Sequence, residues 1–370
     1  TLPFSDVAIA VVITACFIVA NVCGVKLSGR LQNGFMFFFW GVAVIWFLTM
    51  IPNISLPAFV QTPSFLPQSA NMSFGAAVCM IWWCFAGFEA CVAMGEEIKY
   101  PRINIPRALF LSPFVVFAVN ALFQWFLIGI TPVDKLAGLA TAQAPYADAM
   151  AAAGILGFPL ALLAAGIAFG GDFSTLNAST TSRYLFTMAR DGVMPAVFAK
   201  TSKRFQTPYV AVIALGILTL ALIATDSLIY IASLSLFADL FYYVIGIVAA
   251  WALRRKCPGL ERPYRAPWLM IGAPVSAVIY LYMMTQLDTN AFVTGIIWSV
   301  LGLVIYFVCR KTRGTAPVMT PSPEETGAAE LPATESEKRA MDREYRLWQV
   351  IVGAAVVISL ALYALPWLMR

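Results

Sequence analysis

Three carboxylic acids stand inside long apolar runs: Glu89 in WWCFAGFEACVAMGEE, Asp172 in AFGGDFSTLNASTTS and Asp239 in SLSLFADLFYYVIG. A charge at membrane depth is costly, so such residues default to functional hypotheses. No Lys, Arg or His stands at comparable depth in the sequence. Each acid can be protonated, bind a cation or a substrate ammonium, or pair with a group elsewhere. A neutral carboxyl bonded to a backbone carbonyl is the purely structural alternative. Glycine adds a second signal. Ala86 and Gly87 come just before Glu89, and Gly170 and Gly171 come just before Asp172. A helix broken at such a place offers free N–H and C=O groups at the midplane, where they can bind a carboxylate or an ammonium. Close helix packing is the other use of glycine. After Asp172 follow Ser174, Thr175, Asn177, Ser179, Thr180, Thr181 and Ser182. Hydroxyls there can ligate sodium or bridge helices.

The elements that must hold these residues follow from composition. The chain has 370 residues, 61% hydrophobic and 12% charged, with a mean hydropathy of +0.81. Soluble domains are about 45–50% apolar and about 25% charged, so a soluble, disordered or fibrous protein is excluded. Ten apolar runs are near the 20 or so residues that cross a bilayer: 7–24, 34–52, 75–95, 109–131, 154–178, 208–224, 228–252, 267–286, 291–309 and 348–368. They are continuous rather than alternating, so they predict helices and not barrel strands. The first has no basic leading region and no small-residue cleavage site, unlike a signal peptide.

Lysine and arginine set the orientation. With Lys26 and Arg30 placed in the cytoplasm, alternation brings all of the 24 basic residues except Lys135 and Arg370 to that side. The net charge of +5 then faces anionic lipid, and no nucleic-acid partner is needed. Thr1 falls outside, which predicts an odd number of preceding spans. Residues 313–345, rich in Pro, Thr, Glu and Ala, read as a cytoplasmic disordered tail whose last third can form a short polar helix. Residues 346–370 read as an extra final span.

Other chemistries find little support. The absence of histidine removes His-based catalysis and His-rich metal sites, and seven scattered cysteines form no CxxC pair, so no metal or cofactor is expected. The buried acids lie on separate helices, against an enzyme. The few polar residues and the lack of any charged ring argue against a channel.

The motifs resemble a known family. Trp83, Phe85, Gly87, Phe88 and Glu89, then Glu96, Glu97, Lys99 and Pro101, then Ile105, Pro106, Arg107 and Ala108 are similar to the amino acid–polyamine–organocation permeases. Ser182-Arg183-Tyr184 with Met188 to Gly192, and Leu253 to Lys256 with Arg262 to Arg265, agree in order and spacing, as does the segment from Asn21 to Asn33. The resemblance covers about residues 5–312.

It implies an all-α polytopic membrane protein with a five-plus-five inverted-repeat transporter fold. The transporter domain is 1–312, with 1–52 the end of the first repeat, 75–252 the complete second repeat and 267–309 two further helices. The family's first three helices would precede Thr1. Family knowledge implies a substrate cradle at Trp83, Cys84, Phe85, Ala86, Gly87 and Phe88, and a gating or proton-linked role for Glu89. Glu96, Glu97, Lys99 and Arg107 are expected to form an inner charge network. Some family members carry a lysine on the helix equivalent to the second run; Phe39 stands there in this chain. Asp172 with Ser174 and Thr175 is the candidate coupling-cation site, for H+ or Na+, and Asp239 a candidate pathway acid. The expected function is a secondary-active permease of the plasma (inner) membrane, moving amino acids or amines by alternating access, by cation coupling or exchange. A non-transporting receptor or remnant of such a permease is the alternative. The expected partners are a small amino acid or amine and membrane lipid.

Overall fold

The computed structural model describes residues 5–23, 25–56, 59, 74–89, 91–92, 98–141, 144–176, 180–223, 228–259, 266, 268–313 and 334–368. Among them are twelve α-helices and no strand. These are α1 (Ser5–Val22), α2 (Val25–Met50), α3 (Phe74–Trp83), α4 (Pro101–Ile130), α5 (Pro145–Ala152) and α6 (Phe158–Leu176). They continue with α7 (Thr180–Arg190), α8 (Tyr209–Ile223), α9 (Leu228–Lys256), α10 (Leu269–Met284), α11 (Thr289–Arg313) and α12 (Glu335–Leu368). Five helices are long and apolar enough to cross a membrane, and four shorter apolar helices accompany them. Together with α3, these nine place a helix in every one of the ten apolar runs. The chain is an integral, multi-pass, all-α membrane protein.

The outward faces are as apolar as the inward ones. On α11, Ile297, Trp298, Leu301, Val304, Phe307 and Val308 are all exposed, a surface that only lipid or another apolar partner can cover. The interior divides into two clusters. In the first, α2, α4, α5 and α6 enclose Trp46, Met50, Phe123, Phe126, Met150 and Ile167. In the second, α3, α9 and α10 enclose Cys79, Leu236, Phe237, Leu240, Met283 and Met284. Separately, α1 packs on α8.

Several boundaries differ from the sequence expectation. Helix α2 begins at Val25, so the polar link before its apolar run is already helical. The third run is not one continuous α-helix: α3 stops at Trp83 and the backbone turns through Gly87, where the glycine beside Glu89 pointed to a break. Gly170 and Gly171 do not break their helix: α6 runs through them to Leu176. Gly170 has a packing reason instead. A Cβ there would meet the Cα and Cβ of Phe39 at 2.9 Å, so α2 and α6 approach closely only with glycine at that point. The last third of the tail is helical and continuous with the final span, forming the 34-residue α12.

Candidate functional site

Helix α3 is anchored before it breaks. Cys79 Sγ donates to the Met283 carbonyl oxygen at 3.3 Å, tying α3 to α10. Trp82 packs against Tyr243 of α9 and Tyr280 of α10, with ring centroids 6.2 and 5.2 Å away. Its buried Nε1 finds no acceptor among the described residues. The neighbouring Trp83 points elsewhere and is 40% exposed.

Beyond Trp83 the bonding tightens. The N–H groups of Cys84, Phe85 and Ala86 donate three residues back, to Ile81, Trp82 and Trp83, at 3.1, 2.8 and 3.2 Å. A tightened last turn of this kind ends an α-helix. Gly87 then takes φ +102°, in a region that side-chain-bearing residues rarely enter. Nothing lies within 4 Å of the position a Cβ would take there, so the glycine serves backbone conformation and not space.

Glu89 closes the break. Its Oε2 accepts from the Gly87 N–H at 3.1 Å, and its Oε1 accepts a short hydrogen bond from the Tyr242 hydroxyl of α9. The carboxyl thus joins the broken backbone to a second helix, across 153 residues of sequence. Asp239 lies on α9 one turn before Tyr242, so the two share a face, and it interacts electrostatically with Glu89. Tyr184 of α7 is also within electrostatic reach of Glu89 and Cys91. No cation within the membrane is needed to hold Glu89: a hydroxyl and a backbone N–H serve it.

The structure therefore gathers Cys84, Phe85, Ala86, Gly87, Phe88, Glu89 and Asp239 at the meeting of α3 and α9. The backbone at Asp172, Ser174 and Thr175 is helical, within α6; their side chains lie outside the described residues, as do Glu96 and Glu97. Among the described residues no group of three or more His, Cys, Asp or Glu could hold a metal. Tyr242 was not among the sequence candidates. Its signal was the Tyr242-Tyr243 pair, three and four residues after an acid on an apolar helix.

A break with a glutamate facing it, coupled to a neighbouring helix, is accompanied by a match along most of the sequence. The family model described as "Amino acid permease" matches residues 3–309. The chain belongs to this family. Among its relatives is the branched-chain amino acid permease BcaP of Bacillus subtilis (strain 168), 25% identical over 289 residues, covering 77% of this chain and 60% of the relative. The methylthioribose transporter of the same organism is 26% identical, with the same coverage of 77% and 60%. The serine/threonine exchanger SteT, also from B. subtilis, is 25% identical over 66% of this chain and 57% of its own length. The chain thus spans about 60% of the length of these permeases. These relatives carry the names of permeases, transporters and exchangers, not of enzymes. Helix α12 lies beyond the matched residues.

Proposed function

We propose that the protein is a secondary-active permease of the plasma membrane for amino acids or related amines. The observation that carries this is the α3 break, where one glutamate joins the Gly87 N–H to Tyr242 of α9. The relatives' names support an amino acid as the substrate class, and they make a non-transporting remnant the weaker reading.

The geometry suggests a way to couple binding to movement. A zwitterion arriving at residues 83–88 brings a carboxylate that competes with Glu89 for the Gly87 N–H. Its ammonium finds in Glu89 an opposite charge at close range. Displaced from the backbone, Glu89 can take up a proton or remain held by Tyr242 alone. Either change alters the bond between α3 and α9. A ligand shifts a conformational equilibrium only through such differential contacts. Alternating access then moves the unit containing α3 against the one containing α6. Asp172, Ser174 and Thr175 are the proposed site of a coupling cation, with Glu89 and Asp239 as proton-linked acids.

The test uses the full-length protein in proteoliposomes. Labelled leucine, serine and lysine are offered under a proton or sodium gradient, and N-ethylmaleimide labelling of Cys84 is read by peptide mass. A transported substrate is expected to slow Cys84 labelling. Asp172→Asn is expected to abolish gradient-driven uptake while sparing part of the exchange. Uptake without Cys84 protection would move the binding site away from the break, and full retention of driven uptake in the variant would remove Asp172 from coupling.

A further inference from the structure

Helix α12 lies outside the matched residues, yet it follows α4 along most of its length. The two run parallel. Ser359 Oγ donates to the Ala118 carbonyl at 3.5 Å, the Tyr363 hydroxyl to that of Ala121 at 3.2 Å, and Trp125 Nε1 to that of Leu362 at 2.9 Å. These contacts form the apolar half of the pairing.

The polar half is at the start of both helices. Lys99 Nζ donates to Glu337 Oε1 at 2.7 Å, and the Tyr100 hydroxyl donates to the same oxygen at 2.8 Å. Arg107 makes a short ion pair with Asp342, and its guanidinium lies 4.8 Å from the centre of the Tyr345 ring. Glu337 also holds the Lys99 ammonium and the Tyr100 phenol above their ordinary titration ranges.

The gripped residue is strained. Tyr100 has φ +52° at the N-cap of α4, directly before Pro101. A bulky residue in the left-handed region persists only where its surroundings fix it. Here the fixing contact comes from α12. Tyr100 also ends the segment that leads from the α3 break to α4.

We propose that the polar half of α12 is an intramolecular ionic latch, which holds the Lys99–Tyr100 hinge and so restrains opening of the α3 break. This proposal rests on the reading of residues 83–89 as the substrate site. Glu337 and Asp342 compete for Lys99 and Arg107 with bulk salt and with anionic lipid headgroups, so the latch loosens as ionic strength rises.

Two readouts test it in the full-length protein. Amide exchange at residues 99–104 reports the hinge, and Cys84 labelling by N-ethylmaleimide reports the break. Partly exposed ion pairs are individually weak, so the double variant E337Q/D342N is expected to raise both rates about fivefold. K99E alone should do much the same, and K99E/E337K should restore both rates by re-forming the pair with reversed charges. Unchanged exchange at 99–104 in E337Q/D342N overturns the latch. So does failure of K99E/E337K to restore what K99E loses, because the effect would then be loss of fold and not loss of pairing. Faster hinge exchange with unchanged Cys84 labelling overturns the link to the break. Failure of every substrate to protect Cys84 in the unaltered protein counts against the site reading alone, and the hinge exchange still decides the latch.

Discussion

Glu89 is the residue on which the site turns, because both of its oxygens are committed. One accepts from a backbone that only glycine readily supports, and the other from a tyrosine on a different helix. Hydrogen bonds to a charged acceptor contribute about 1.5–3 kcal/mol. Tyr242→Phe keeps the ring and removes the donor, so substrate transport should fall roughly tenfold, since about 1.4 kcal/mol is a factor of ten. Initial uptake rates in proteoliposomes provide the measurement. Tyr230→Phe is the control: it makes the same chemical change on the same helix, where the hydroxyl donates to Thr294 Oγ1 at 3.0 Å. An equal loss in both variants would mean that α9 tolerates no lost hydroxyl, and Glu89 would then have no special place.

At the scale of the helices, glycine has two separate tasks, and the sequence shows only that glycine is present. Gly170 admits α2 to α6: a Cβ would strike the Phe39 backbone at 2.9 Å. Gly75 on α3 has even nearer neighbours, Gln286 Oε1, Cδ and Cγ at 2.5, 2.7 and 2.7 Å, but all three belong to one side chain and none to backbone. Gly170→Ala should therefore destabilise the protein by about 1–3 kcal/mol, as overpacking does. Gly75→Ala should cost less than Gly170→Ala, because a side chain gives way more readily than backbone and alanine favours helix by up to about 1 kcal/mol. Thermal unfolding in detergent ranks the two, and equal losses would show that Gln286 is as fixed as backbone. The same distinction explains what could be read in the sequence. All ten apolar runs hold helices because burial in lipid imposes length and hydropathy on each one locally. The Gly87 break was legible because an acid stands beside it. The packing role of Gly170 was not, since the atoms that require glycine belong to a phenylalanine on another helix. Tyr242 and the partners of Lys99 and Arg107 were hidden for the same reason. Glu337 and Asp342 belong to a stretch whose composition reads as solvated, and only the packing of α12 on α4 gives them partners.

For the whole molecule, the basic residues and the helix packing bear independently on orientation. Alternation of the ten runs starts both the 109–131 run and the 348–368 run from the cytoplasmic side. The structure pairs these two helices in parallel: Lys99 and Arg107 meet Glu337 and Asp342 at one end, and Ala121 and Trp125 meet Tyr363 and Leu362 at the other. Parallel neighbours that begin on the same side require an odd number of crossings between them. The runs between them number five, so one miscounted span would force α4 and α12 to be antiparallel. In the full-length protein, single cysteines placed at Lys99, Lys203 and Lys338 in an otherwise cysteine-free background should react with an impermeant maleimide only in inverted vesicles. A cysteine at Lys135 should react only in right-side-out vesicles. Labelling of positions 99 and 338 from opposite sides would break the α4–α12 pairing and the latch with it. Labelling of both from outside would keep the pairing and reverse the whole protein, against the pull of its lysines and arginines toward the cytoplasm.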